Sequence, residues 1–415
     1  MPGMAEDLRS RHPVVAEVTA DLPGPLARRC DDEGARAGKR RKPAAAAAPA
    51  PAAADAGAGD GDDYAAVLRA ARAHISSFAQ PDDRLATWTV FSTWAAWIGF
   101  LIAGLCVLRP EVLSQPWGIP LAALWTLLRI GSLVRAFVVF HDLAHHALFT
   151  KKRPNVACGV FVGVLVGSDY FDYRASHNIH HIESGLEDLK DAQSTVIWNA
   201  KEWAAWPRGI AKAAARMLWD PLFLYTVGGP IFLLLCNTCW MPLRRDKSGV
   251  YKVLYPLARV AAIPALFAAI SYVASSTKLQ IVMEVFCMLT ATAYAMFLFH
   301  IQHVFEGTYR MPRGKHSRTE AAARGSSQLR IPRWWRWATL GVEHHAIHHI
   351  NHRVPCYKLQ ECYETAPPGL WEAIGMPLLG AREACHGMLL TVWDADQHCY
   401  VAFPEWRWLA NLLAP

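Results

Sequence analysis

The stretch WGIPLAALWTLLRIGSLVRAFVVFHDLAHH, residues Trp117 to His146, contains both features that decide the fold. Its first part, Trp117 to Phe140, is an apolar helix of membrane-spanning length, interrupted only by Arg129 and Arg135. These arginines are expected to snorkel or to face the bundle interior near the interface. The helix then delivers His141, His145 and His146. Histidines four apart share one helix face, where neutral ring nitrogens can converge on a transition metal. An apolar span that ends in a histidine cluster reads as part of an integral membrane metalloenzyme.

Three further clusters extend the pattern: HNIHH (His177, His180, His181), HIQH (His300, His303) and HHAIHH (His344, His345, His348, His349). The string HxxHH is rare in a chain with 18 histidines among 415 residues, and it occurs twice. The clustered imidazoles exceed the positions around one ion, so two metals are implied. Imidazole suits zinc, copper, nickel and iron alike, so spacing does not choose among them. Carboxylates stand close enough in sequence to orient the rings: Asp142, Glu183, Glu187, Asp188, Asp191, Glu306 and Glu343, with Asp142, Asp188 and Glu306 the preferred candidates. His12, His74, His316, His386 and His398 are expected at the surface, and His352 at a headgroup or in an outer contact with the site.

The remaining chain fits a membrane protein. Hydrophobic residues make up 53% and charged residues 19%, and the basic residues behind the net charge of +7 cluster beside apolar runs. That placement suits an anionic membrane surface, and no nucleic-acid partner is expected. The ten cysteines are scattered. Cys236 and Cys239 form a CxxC inside an apolar segment without neighbouring ligands and read as small buried hydrophobes. Residues 1–82, rich in Ala, Pro, Gly and charge, bury too little apolar surface to offset the entropy of ordering and are expected to form a disordered arm. The acidic residues of its first part (Glu6, Asp7, Glu17, Asp21) argue against an organelle presequence.

Four crossings are expected. Leu85 to Leu108 holds no charge and is the first, Trp117 to Phe140 the second; Val253 to Ser275 and Leu279 to Gln302 form a hairpin that supplies the others. Val156 to Gly167 is too short to span and reads as interfacial or half-inserted. Pro221 to Met241 is broken by Gly228, Gly229 and Pro230 and is expected to turn back. The basic loop with Arg244, Arg245, Lys247 and Lys252 sets its own side as cytosolic. All four clusters then share that face. The expected fold is an all-α integral membrane protein with four transmembrane helices and a cytosolic helical cap around the histidines.

The segments RAFVVFHDLAHHALF, DYFDYRASHNIHH with SGLED, FLFHIQHVFEGTY and GVEHHAIHHINHRVPCYKLQEC resemble the membrane fatty acid desaturases, in particular acyl-lipid enzymes of the omega-6 (delta-12) type. The likeness runs from about Leu85 to Phe403, which makes residues 83–415 the desaturase domain. It implies two irons held by His141, His145, His146, His177, His180, His181, His303, His345, His348 and His349, with His344 as an additional candidate. It also implies dioxygen as cosubstrate and a cis double bond introduced into a lipid-linked acyl chain. Leu143 and Ala144 replace the cysteine and glycine usual in the first box, at positions that are not ligands.

No HPGG haem motif occurs, so a separate electron donor is implied: cytochrome b5 in the endoplasmic reticulum or, as the alternative, ferredoxin at a plastid membrane. Lys151, Lys152, Arg153, Arg330, Arg333 and Arg336 can dock an acidic donor or meet lipid headgroups. Related diiron enzymes hydroxylate or epoxidise with the same ligands, or desaturate at other positions. A non-catalytic histidine-rich metal transporter, or a haem membrane protein, is the reading from a different class. A transporter places its ligands near the bilayer midplane, whereas these clusters lie at membrane ends and in loops.

Overall fold

The first expected span is helix α2 (Asp83–Val107), which follows an N-terminal helix α1 (Ala58–Ser77) in a computed structural model that describes residues 58–187, 198–228, 230–231, 250–273 and 277–415. Residues 1–57, Cys236 and Cys239, the basic residues Arg244, Arg245 and Lys247, and Asp188 and Asp191 lie outside the described residues. Asp82 caps α2 by accepting from the amides of Arg84 and Leu85 at 2.8 and 3.2 Å. The second span is α3 (Gly118–Ala144), which runs straight into the first histidine cluster. Asp83 accepts from the amide and hydroxyl of Thr150 at 2.8 and 2.7 Å, so the start of α2 and the end of α3 lie at the same membrane face.

The expected interfacial segment is a bent pair, α4 (Lys152–Leu165) and α5 (Tyr170–Glu183), turned by 104° at the break. Gly159 makes the turn close: a Cβ there would stand 2.2 Å from the Tyr170 ring. Beyond it come α6 (Ile210–Leu218), a short turn Pro221–Phe223 with a π-helical turn Leu224–Gly228, and the hairpin α7 (Val250–Val273) and α8 (Thr277–Ile301). Helices α2, α3 and α8 are each long and apolar enough to cross a membrane. The 24 residues of α7 give it a spanning length as well, about 36 Å at 1.5 Å per residue.

Spanning helices cannot leave charge in lipid unpaired, and Arg129 shows how this bundle handles it. Arg129 of α3 and Glu284 of α8 are both fully buried, with guanidinium–carboxylate contacts of 3.0–3.3 Å. A further guanidinium hydrogen bond reaches the Trp97 carbonyl of α2 at 2.8 Å, and the Trp97 ring lies 4.6 Å below the charge. Three helices are joined at one point. Arg135, a turn and a half later, donates to Thr93 and Ser92 of α2 and to the Trp337 carbonyl. Both arginines therefore face the bundle and neither snorkels.

The cap is built from α9 (His345–Ile350), α10 (Cys356–Glu364), α11 (Ala381–Leu389), α12 (Arg407–Leu413) and short connecting turns. It departs from the all-α expectation through a few short strands. β1 (Trp198–Asn199) pairs in parallel with β2 (Leu390–Asp394), which pairs antiparallel with β3 (Cys399–Ala402). These strands close the outer edge of a helical cap.

Within the segment expected to be a disordered arm, residues 58–77 form an ordered helix. Val67, Leu68, Ala71, Ile75 and Phe78 recur at helical spacing, and this stripe docks α1 on the cap, with Ala71 and Ile75 fully buried. The Tyr64 hydroxyl donates to the Ile374 carbonyl at 3.2 Å, and the His74 ring to the Cys362 carbonyl at 2.9 Å. An Ala-rich composition conceals a short amphipathic stripe. His74 and His386 are accordingly not surface residues: the first is half-buried on the face of α1 turned to the cap and the second is 8% exposed.

Candidate metal centre

The histidines separate into two groups whose ring nitrogens lie within 4.8 Å of one another: His141, His145, His177, His181 and His348 in one, His180, His303, His345 and His349 in the other. Helix geometry dictates the split. At 100° per residue, i and i+4 point 40° apart while i+3 and i+4 diverge by about 100°. In α5, His177 and His181 therefore serve the five-histidine group and His180 the other. In α9 the same string is used in the reverse sense, with His345 and His349 in the four-histidine group and His348 in the five. His141 and His145 of α3 form a third i, i+4 pair. His303, just past the end of α8, completes the four.

The rings meet through Nε2. In the five-histidine group, His177 Nε2 is 2.9 Å from that of His141 and 3.2 Å from that of His181, which is 3.1 Å from that of His348. In the other group, His303 Nε2 lies 3.1 Å from that of His180 and 3.0 Å from that of His345, which is 3.1 Å from that of His349. A ring nitrogen carries either one proton or one lone pair, so the middle member of such a chain cannot satisfy two neighbours by hydrogen bonding. A shared cation satisfies all of them. Metal–nitrogen bonds of about 2.0–2.1 Å at right angles place adjacent nitrogens roughly 3 Å apart, the spacing found here.

The electrostatics suit the same role. Burial, reinforced by the surrounding imidazoles, holds His145, His345, His348 and His349 well below the ordinary imidazole value. All four are neutral at pH 7, the form that binds a metal. Both nitrogens of His145 and the Nδ1 atoms of His181, His345 and His348 are buried without a hydrogen-bond partner among the described residues. Tyr173 stacks on His177 at 5.1 Å, and Phe299 lies 5.0 Å from His180 and 5.4 Å from His303, so aromatic rings shield both groups from water.

Of the carboxylates, Asp142 lies against a ring of the five-histidine group. It is 1% exposed, its Oδ1 accepts from His141 Nδ1 at 3.1 Å, and its Oδ2 accepts from the Cys356 amide. The first bond fixes the tautomer that leaves His141 Nε2 for the centre; the second ties α3 to the segment after α9. Asp142→Asn is expected to lower metal affinity about 10–100-fold, read by metal content after dialysis against a chelator.

Glu306 does something else: its carboxylate is 3.9 Å from His386 Nδ1 and touches none of the nine rings. Glu187 pairs with His398 at 3.2 Å. Glu343 is buried beside Arg336 at 3.8 Å.

Three histidines of the clusters stand outside the two groups. Helix α3 ends at Ala144, and His146 enters the left-handed region at φ +55°, which swings its ring to the Tyr170 hydroxyl at 3.1 Å. His300 donates to the Gly387 carbonyl at 3.1 Å. His344 sits between the side-chain amides of Gln328 and Gln360, at 3.0 Å from each, and stacks on Tyr363. His352, by contrast, is exposed but has its ring 5.0 Å from that of His145, an outer contact with the five-histidine group. His303 Nδ1 donates to the Gly325 carbonyl at 3.3 Å, a contact that no sequence signal marks because it spans 22 residues.

The model of the fatty acid desaturase family matches residues 115–379. This chain is similar to a fatty acid desaturase from Bacillus subtilis, 27% identical over 341 residues that cover 82% of this chain and 92% of the relative. It is also similar to an sn-1 oleoyl-lipid 12-desaturase from a Synechocystis species, 25% identical over 282 residues that cover 64% of this chain and 74% of the relative. The family match spans the bundle helices α3 and α8 together with all nine converging histidines, and on that ground the chain belongs to the fatty acid desaturase family and is a desaturase enzyme.

Proposed function

We propose that this desaturase introduces a cis double bond at the delta-12 (omega-6) position of a lipid-linked acyl chain, using dioxygen and two irons. The observation that carries this reading is the division of nine imidazoles, seven of them buried, into a group of five and a group of four. The donor set is all imidazole nitrogen, which suits iron as it suits other borderline metals, and the desaturation chemistry selects iron. When bound, the pair of irons supplies the activation of dioxygen that no side chain can provide. The balance per turnover is one dioxygen, two electrons, two protons and the two hydrogens of a methylene pair, giving one alkene and two waters.

The chain's own residues do the rest. His141, His145, His177, His181 and His348 hold one ion, His180, His303, His345 and His349 the other, and Asp142 orients His141. Tyr173 and Phe299 keep water from the rings. The delta-12 position is supported by the name of the Synechocystis relative. The cap faces the cytosol by the positive-inside rule applied to the loop of Arg244, Arg245 and Lys247. Electrons come from a separate carrier, cytochrome b5 at the endoplasmic reticulum or ferredoxin at a plastid membrane.

Expression in a yeast host that makes oleoyl lipids, followed by gas chromatography and mass spectrometry, tests the reading. A new diene with bonds at positions 9 and 12 is the expected product. A new alkene at another position replaces the regiospecificity; an oxygenated acyl chain without a new alkene overturns desaturation in this substrate.

A further inference from the structure

Helix α6 is amphipathic in the wrong direction for a cap residing in water. Its basic side chains turn inward. Lys212 donates to the carbonyls of Trp203 and Trp206 at 2.5 and 2.9 Å. Arg216 pairs with Asp220 and Glu405, each at 3.1 Å, and lies over the Phe403 ring. Its apolar side chains turn outward, with Ile210 90% exposed and Met217 55% exposed. The C-terminal helix α12 also turns apolar side chains outward: Trp408 and Leu412, four residues apart, are 66% and 65% exposed. The two helices form one surface, because Arg216–Glu405 and a 3.0 Å hydrogen bond from the Trp406 indole to Asp220 join them at their base.

The height of this surface follows from what continues it. Leu222 extends the outward apolar face at 60% exposure. Leu224 and Tyr225 then pack on Met296 of α8, and the Tyr225 ring lies 5.4 Å from that of His300, in the last turn of that spanning helix. The apolar face is thus joined to the end of a membrane span, at the level of the bilayer boundary. A basic face exposed to water with an apolar face against protein would mark a soluble cap; the inverted order leaves about two turns of apolar surface that only an apolar medium can cover.

We infer that α6 and α12 together form an in-plane membrane-contact surface, whose partner is the acyl-chain and headgroup boundary of the same bilayer leaflet. Trp408 stands where indole is favoured, with its ring at the interface. Lys212 and Arg216 are held inward by the protein and do not provide the binding; apolar burial does. The cap is thereby held down on the lipid beside α8.

Replacement of Ile210, and separately Trp408, by the photo-crosslinking residue p-benzoylphenylalanine tests this in proteoliposomes of phosphatidylcholine and phosphatidylglycerol. After irradiation, mass spectrometry should find phospholipid adducts at both sites, at least about tenfold above those at Lys201→p-benzoylphenylalanine, as expected when one position lies in the bilayer boundary and the other in water. Lys201 is the control because its side chain is 69% exposed and pairs with Asp396. Having two probe positions guards against misfolding of either variant. Chain-to-chain adducts would assign the surface to a second copy. Equal lipid labelling at Lys201, or no adduct at either probe, would put it in water. Each of these outcomes overturns the inference, and none depends on catalytic activity.

Discussion

His180→Ala is expected to abolish desaturation, with new diene falling by at least about a hundredfold, beyond the 10–100-fold that loss of an outer partner costs. The reason is the smaller of the two groups. His180, His303, His345 and His349 are four nitrogens with no histidine in reserve, and His180 Nε2 stands 3.1 Å from that of His303. Its neighbour in sequence, His181, belongs to the other group and points about 100° away around α5, so it cannot swing across. The variant should lose about one of its two metal ions by elemental analysis while its helical circular dichroism is kept. His146→Ala is the matched control, since its ring lies on Tyr170 and outside both groups. Full metal content in His180→Ala would remove it from the ligand set.

Arg129→Leu is expected to destabilise the fold by about 3–5 kcal/mol, the cost of leaving one member of a buried ion pair uncompensated. Glu284 is fully buried, and with Arg129 gone its carboxylate keeps no guanidinium partner in the bundle. Apolar surroundings make an isolated charge there costly. The double variant Arg129→Leu with Glu284→Leu should recover most of the loss, because it removes both charges together. Thermal unfolding of the purified protein in detergent reads both. A single variant as stable as the parent would show that the pair does not join α2, α3 and α8 energetically.

The histidine strings made most of the centre legible. All nine residues that converge were readable from HDLAHH, HxxHH and the single His303, because imidazole spacing on a helix is a local property. What spacing could not assign was the fate of equal-looking neighbours. His145 and His146 are adjacent in one string, yet the first caps the end of α3 in right-handed backbone and the second turns left-handed. His344 and His345 are likewise adjacent, and only the packing of Gln328, Gln360 and Tyr363 claims the first. Glu306 looked like a ring-orienting carboxylate by proximity in sequence, whereas its side chain meets His386, 80 residues away.

The sequence by itself determined the apolar runs of spanning length and the histidine inventory, with more clustered imidazoles than one ion can take, since apolar run length and helical periodicity depend only on residues near one another. The tertiary structure decided which histidines converge with which, that Arg129 finds Glu284, that α1 belongs to the cap and that α6 turns its apolar face outward. Each of those depends on groups distant in the chain, whose distances are set by how whole helices pack, and packing is a property of the assembled surfaces and of no single segment.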